Sequence, residues 1–290
     1  MNEQFYVGID AGGTHCRACL YNSEGNELGN SMSGPANVFS DFDSAIANIR
    51  LSINRVLALT DKHMQTADLH ICVGSAGAQV EGVQQSFGEL SHPYASFSLI
   101  SDLHAACIGA NVGSDCSLVI VGTGSSLASF ENQQVKQYGG HGLFLGDEAS
   151  GAYIGLSAIK STLRYFDGLH NDTAFSDAIL TALSCTKPKQ IVEHWTRRPA
   201  ADYAALLPVV QGLAEEGNKS AKDLITAGLD YLRDVIVGNG LHNKAPLYML
   251  GGLSDMYKGG LEAALGVSIA SPQHSPEYGA FLYAKLMLNK

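Results

Sequence analysis

The chain has 290 residues, 46% of them hydrophobic and only 16% charged, which excludes disorder over its whole length, because disordered chains are apolar-poor and charge-rich. Its formal net charge is −10, which argues against a nucleic-acid partner, since phosphate neutralisation needs a basic face. Length alone allows one large domain or two ordinary ones, and 32 glycines, above the usual ~7% share, point to tight loops.

The opening MNEQFYVGID has neither a basic start nor an apolar run ending in small residues, so no secretory signal is expected. FYVGIDA then reads as a buried strand, HCRACLY as its antiparallel partner, and Glu27 to Ser33 as a third strand after the NSEGN turn. A helix is predicted from about Asp41 to Leu59, with Phe42, Ala45, Ile46, Ile49, Ile53, Val56 and Leu57 at helical spacing. Leu69 to Ser75 reads as a strand, Glu81 to Leu90 as a weaker helix, Phe97 to Ser101 as a strand and Leu103 to Ala110 as a short helix.

The pattern then restarts. SLVIVGT reads as a buried strand and SSLASFE as a strand turning back at ENQQ. VGIDAGGTHCRACLY and VIVGTGSSLASF share the order strand, glycine loop, strand, turn, with Gly12 and Gly122 110 residues apart. This predicts a duplicated domain type. The remainder is mostly helical: Glu148 to Arg164, short helices broken at Pro188, Pro199 and Pro208, and Lys219 to Val237. PLYMLGG and VSIA read as late strands, and a closing helix runs from about Pro276 to Leu288. No stretch approaches 18 uninterrupted apolar residues, so no membrane span is expected. The six cysteines, Cys16, Cys19, Cys72, Cys107, Cys116 and Cys185, read as the reduced thiols of a cytoplasmic protein.

Three glycine stretches carry the chemistry. In Gly8-Ile9-Asp10-Ala11-Gly12-Gly13-Thr14, a glycine pair lets backbone amides approach phosphate oxygens, and Thr14 adds a hydroxyl. Asp10 ends the adjoining strand, placed to hold Mg²⁺ through water. Taken alone, the loop is equally a hairpin turn. Gly122-Thr123-Gly124-Ser125-Ser126 has the same chemistry, and Gly251-Gly252, after the late strand, leaves room for an adenine. No GxxxxGK[ST] occurs and neither loop opens a helix, which argues against a P-loop or a Rossmann site. Cys16 and Cys19 lie three apart on a strand, facing opposite sides, so they do not form half a zinc site.

The order of these stretches, with Ser101-Asp102-Leu103-His104-Ala105-Ala106, the run from Gly139 to Gly151 and the late LGGLSD, resembles the sugar-kinase, actin and Hsp70 superfamily. Within it the chain is similar to the N-acetylglucosamine and glucosamine kinases of the BadF/BadG/BcrA/BcrD ATPase family. The resemblance implies an α/β fold of two actin-like (ribonuclease H-like) domains flanking an ATP and sugar cleft. The first would span 1–112 and regain the helix 277–290; the second would span 113–276 with a helical insertion. It implies ATP and Mg²⁺ as cofactors, an amino sugar as the other small-molecule partner, and leaves a homodimer open. Gly12, Gly13, Thr14, Gly122, Thr123, Gly124, Ser125, Gly251 and Gly252 would bind the nucleotide, and Asp10 the metal. Asp102 would be the base at the sugar's 6-hydroxyl; position alone favours a helix N-cap, and the surrounding motifs reverse that. Asn37, Gly140, His141 and Asp147 would bind the sugar, with His141 standing where the family often has Trp. Asp147 and Glu148 are expected at the start of the long helix, where capping is the other reading. Two further readings share the fold: an activator ATPase of 2-hydroxyacyl-CoA dehydratases, which needs cysteines from two subunits for an iron–sulfur cluster, and a non-catalytic sugar sensor.

Overall fold

The computed structural model describes residues 4–60, 64–243 and 245–288; the ends of the expected ranges, 1–3 and 289–290, lie outside them. The chain is mixed α/β and divides into two compact units. Unit 1 comprises Met1–Cys116, Ala128–Lys136 and Ser271–Lys290, and unit 2 comprises Ser117–Leu127 and Gln137–Ala270.

Unit 1 is built on the strands β1 (Phe5–Ala11), β2 (Cys16–Asn22), β3 (Glu27–Ser33), β4 (Leu69–Ser75) and β5 (Ser96–Ser101), in the order β3-β2-β1-β4-β5. β1 pairs antiparallel with β2 and parallel with β4, which is why its sequence is apolar on both faces. Val7 and Ile9 face a core shared with the helix α1 (Phe42–Ala58), while Tyr6 faces the opposite core. Cys16 and Cys19 fall into these two cores separately, on opposite faces of β2. Asp41 caps α1 by accepting from the Ser44 N–H at 3.1 Å. The helices α2 (Glu81–Gly88) and α3 (Asp102–Ala110) follow β4 and β5.

The second sheet joins β6 (Cys116–Val121), β7 (Ser125–Glu131), β8 (Gln134–Gly139) and β9 (Leu247–Leu250) in the order β8-β7-β6-β9. That order repeats β3-β2-β1-β4, and β9 lies parallel to β6 as β4 does to β1. β8 is a strand where the sequence reading had only a turn. The helices of unit 2 are α4 (Gly151–Phe166), α5 (Thr173–Leu183), α6 (Pro188–Trp195), α7 (Ala200–Ala204), α8 (Leu207–Glu215), α9 (Lys219–Gly238) and α10 (Ser254–Leu265). Pro188 and Pro208 stand in the first turns of α6 and α8, so they start helices rather than break them. α10 was not foreseen, and VSIA forms only one bridge, Ala270 to Tyr248. Among the described residues no helix is long and apolar enough to cross a membrane.

The helix α11 (Pro276–Met287) packs in unit 1 against α3 and β1. Its approach is set by glycines. A Cβ on Gly279 would overlap the Ala105 carbonyl oxygen of α3, one on Gly109 would overlap the Ser275 carbonyl oxygen, and one on Gly8 would overlap the Glu277 carbonyl oxygen. An exposed helical Gly→Ala change normally stabilises by ~1 kcal/mol. Here overpacking reverses the sign: Gly279→Ala should destabilise unit 1 by about 1–3 kcal/mol. A melting temperature equal to or above wild type would show that the helices can part without cost.

Candidate active site

In unit 1 the β1–β2 turn carries Gly12, Gly13 and Thr14. The Gly12 N–H donates to the His15 carbonyl at 3.0 Å, closing the turn, and its carbonyl accepts from the Ala36 N–H at 2.9 Å. That second bond docks the 35–38 segment, which carries Asn37, beside the loop. Ser75, buried at the end of β4, holds the same segment: its hydroxyl lies 3.1 Å from the carbonyls of both Ala11 and Ala36. Gly13 and Thr14 are exposed, and a Cβ on Gly13 would meet nothing within 4 Å. Asn37 spends its side-chain oxygen on the N–H groups of Phe39 and Ser40, at 3.0 and 3.1 Å.

Asp102 is the first residue of α3, but it is not the cap. Ser101 is: its hydroxyl accepts from the His104 N–H at 3.1 Å. The Asp102 Oδ1 accepts from the Leu103 N–H at 2.9 Å. Burial raises the pKa of this carboxyl, and that hydrogen bond opposes the rise. Asp10 is pushed up to about 7, by burial first and then by the negative charges of Glu277 and Asp102, with Arg17 opposing. Glu277 was missed in the sequence. It lies in the first turn of α11, is 3% exposed, and places Oε1 3.4 Å from Arg17 Nε, while its Oε2 has no hydrogen-bond partner. The only signal for it was a carboxylate after Ser275-Pro276, which reads as ordinary first-turn dipole complementarity.

In unit 2 the β6–β7 loop is braced from behind. The Gly122 N–H donates to the Gly124 carbonyl at 2.8 Å. The carbonyls of Gly122 and Thr123 accept the Gly151 and Ala152 N–H groups that open α4, at 2.9 and 3.3 Å. The amides at the α4 N-terminus are thereby spent on the loop. Thr123 and Gly124 are exposed, and the Ser125 hydroxyl is buried without a partner. Gly252 adjoins this loop: its nitrogen lies 4.0 Å from where a Gly122 Cβ would stand, and Gly252 itself has open space. Gly251 has a structural task instead, with φ +107° and no room for a Cβ against the Val121 carbonyl.

Asp147 does not start α4; Ser150 caps that helix by accepting from the Tyr153 N–H at 3.1 Å. Asp147 and Glu148 lie in the preceding turn. Asp147 is held at φ 61°, 9% exposed, and its Oδ1 accepts from the Gly142 N–H at 3.3 Å. Burial raises its pKa, against the Gly142 and Ser125 N–H groups and the nearby His141. Its other oxygen lies 3.1 Å from where a Gly124 Cβ would stand. Gly140, with φ +70°, has no room for a Cβ beside Gln137 and Ser126. Thus Gly124, Ser125, Gly140, His141 and Asp147 form one neighbourhood within unit 2. Asp10, Asp102, Gly12, Gly13, Thr14 and Asn37 belong to unit 1.

Residues 7–284 match the BadF/BadG/BcrA/BcrD ATPase family. The chain belongs to that family. It is 26% identical over 286 residues to glucosamine kinase GspK of Vibrio cholerae, covering 97% of this chain and 95% of that one. It is 28% identical over 315 residues to an N-acetyl-D-glucosamine kinase of Dictyostelium discoideum, covering 98% of each. Among solved structures, a candidate N-acetylglucosamine kinase from Chromobacterium violaceum superposes with a TM-score of 0.88 at 22% identity, covering 97% of this chain and 99% of that one. Component A of the (R)-2-hydroxyglutaryl-CoA dehydratase of Acidaminococcus fermentans matches less well, with a TM-score of 0.51 at 19% identity over 99% and 100%. The fold is the actin-like one that sugar kinases share.

The raised Asp10 pKa has a testable sign. Below the unfolded value of about 3.9 both states hold the proton. As pH rises from there to about 7 the unfolded chain has released it while the folded chain must still give it up, so stability falls over that interval. Without metal or nucleotide, Asp10→Asn should melt higher than wild type at pH 8, with the gap closing towards pH 5. A gap independent of pH would show that Asp10 is not forced to ionise at cost.

Proposed function

We propose that this chain is an ATP-dependent hexosamine kinase, transferring the γ-phosphoryl group to the 6-hydroxyl of an amino sugar, glucosamine or N-acetylglucosamine. Support comes from relatives that align over nearly the whole chain and are named kinases of those two sugars. The observation that carries the mechanism is Asp102: a half-buried carboxylate of raised pKa, at the end of a strand, whose capping duty belongs to Ser101.

In this reading the sugar hydroxyl donates its proton to the free oxygen of Asp102. The hydroxyl oxygen bonds the γ-phosphorus as the bond to the β–γ bridging oxygen breaks, and ADP departs with that electron pair. The raised pKa makes Asp102 a better acceptor. Asp147 and His141 orient the sugar's other hydroxyls, together with Gly140 and Asn37. The amides of the exposed residues Gly13 and Thr14 in the first loop and Thr123 and Gly124 in the second bind phosphate oxygens, with Gly12 and Gly122 shaping the turns, and the unpartnered Ser125 hydroxyl has its missing partner there. Gly252 lies open towards the nucleoside, backed by Gly251.

The acidic surplus of unit 1 fits a cation. Among the described residues no group of three His, Cys, Asp or Glu side chains is placed to hold a metal. The fit is therefore one carboxylate, Asp10, with phosphates and water completing the shell. When bound, Mg²⁺ supplies charge neutralisation for the phosphates. The activator reading fits less well. Its cluster needs accessible thiolates, and all six cysteines are buried, with Cys185 donating its thiol to the Leu183 carbonyl at 3.4 Å.

Asp102→Asn keeps the shape but cannot take the proton. It should lower kcat at least ~10²-fold with ATP binding and circular dichroism unchanged. Near-normal turnover would overturn the assignment, and a lost helix cap is not an available explanation for a fall. A coupled assay with glucosamine, N-acetylglucosamine, glucose and no sugar gives the acceptor. Gly124→Val is a poor probe of phosphate binding, because its side chain would also press on Asp147. Gly13→Val is cleaner: a Cβ there has no protein atom within 4 Å, so it should raise the KM for ATP several-fold while sugar KM and melting temperature hold. Unchanged ATP KM would mean that the loop is only a turn.

A further inference from the structure

We infer that unit 2 carries a second anion site, on the outer face of α4, that takes a phosphate monoester. The site is a concavity of about 380 Å³, within the usual range for small-ligand pockets. Tyr153, Ser157, Lys160, Ser161 and Arg164 line it at helical spacing along α4, and His170 faces them from the following loop. No Asp or Glu lines it, in a chain of net charge −10.

The ordinary reading of such a stripe is a solvated helix face. The rest of unit 2 shows how this chain builds those. Lys189 pairs with Glu193, Arg198 with Asp202 and Lys219 with Asp223, all four residues apart, and Arg233 pairs with Asp230. Lys160 and Arg164 are also four apart, but both are cations, an arrangement that repels along a helix. Neither has an ion-pair partner or a side-chain hydrogen bond among the described residues. Between and before them the stripe presents hydroxyls, Ser157, Ser161 and Tyr153, which bond anion oxygens without adding charge.

His170 is oriented at the rim of the concavity by its neighbours. The Ser220 hydroxyl donates to Asp172 Oδ2 at 2.7 Å and lies 3.3 Å from His170 Nε2. With its own proton committed to Asp172, Ser220 accepts from Nε2–H, which leaves Nδ1 as the uncommitted ring nitrogen. Asp172 also accepts from the Asn218 and Phe175 N–H donors, and among the described residues it forms no ion pair with Lys160 or Arg164. A guanidinium, an ammonium and three hydroxyls around one concavity suit a phosphate dianion, with room left for a small polyhydroxylated body. The site sits on the helix whose first two N–H groups hold the Gly122 and Thr123 carbonyls.

The test is amide NMR of the full chain, titrated separately with inorganic phosphate and with glucosamine 6-phosphate at matched ionic strength. Saturable shifts at residues 157–164 and 170, with a dissociation constant of about 1 mM or tighter, are expected. They should weaken about 10-fold or more in Lys160→Ala/Arg164→Ala. Both side chains are exposed, so the double variant should keep the wild-type melting temperature; Ser157→Ala, which keeps both charges, should weaken binding less. Tighter binding of the sugar phosphate identifies a phosphosugar as the natural source, and equal binding identifies free phosphate. Absence of saturable shifts in this segment, or shifts that the double variant retains in full, would overturn the site.

Discussion

Backbone-to-backbone contact among β1, α3 and α11 is the constraint on which the chemistry of unit 1 depends. Gly8, Gly109 and Gly279 leave no room for a Cβ at three points of that contact. With side chains there, α11 would stand off from the sheet. Because the helices approach so closely, the first turn of α11 and the first residue of α3 come near the end of β1. Glu277, Asp102 and Asp10 are thereby brought within electrostatic reach of one another. The glycines contribute no chemistry themselves; they fix where three carboxylates must stand.

That placement is costly by itself. Among the described residues Arg17 is the cation that faces Asp10 and Glu277, and its side chain is 46% exposed while that of Glu277 is 4% exposed. A guanidinium half in water screens its own field, so it stabilises the nearest carboxylate and leaves the others under-compensated. Glu277 takes the contact through Oε1, its Oε2 stays unpaired, and Asp10 bears the repulsion. Removing Arg17 would leave the buried Glu277 carboxylate without its ion-pair partner, whereas removing the Asp10 charge relieves the repulsion. Sites built in this way carry a perturbed pKa as a consequence of geometry.

Most elements were legible because period and caps agree. β1 is apolar on both faces because it is central, and Asp41, Ser101, Ser150, Asn218 and Ser275 each cap a helix as their residue types favour. The repeat of strand, glycine loop and strand was legible because the two sheets share an order. What failed to show was what arises only in three dimensions. Glu277 is unremarkable until α11 meets β1. Asp147 and Glu148 continue the helical pattern of α4 on paper, yet Ser150 starts the helix, and the carboxylate of Asp147 turns back to the Gly142 N–H. β8 has a polar, exposed sequence with little apolar alternation to reveal it, and α10 carries two glycines, Gly259 and Gly260, that weaken its propensity.

The two glycine loops look alike in sequence and differ in mechanics. The Gly12 loop is closed by one bond across its own turn and otherwise meets the 35–38 segment, so Gly13 and Thr14 stand in open space. The Gly122 loop has its carbonyls tied to the first amides of α4 and has the Asp147 carboxylate against Gly124. A displacement of the first loop is absorbed by a turn. A displacement of the second must move the start of a 16-residue helix and a buried carboxylate with it. The two sheets carry the same loop between equivalent strands, and each is tied to residues proposed to hold the sugar: the first through one bond to the segment that carries Asn37, the second through the start of α4 and the Asp147 carboxylate.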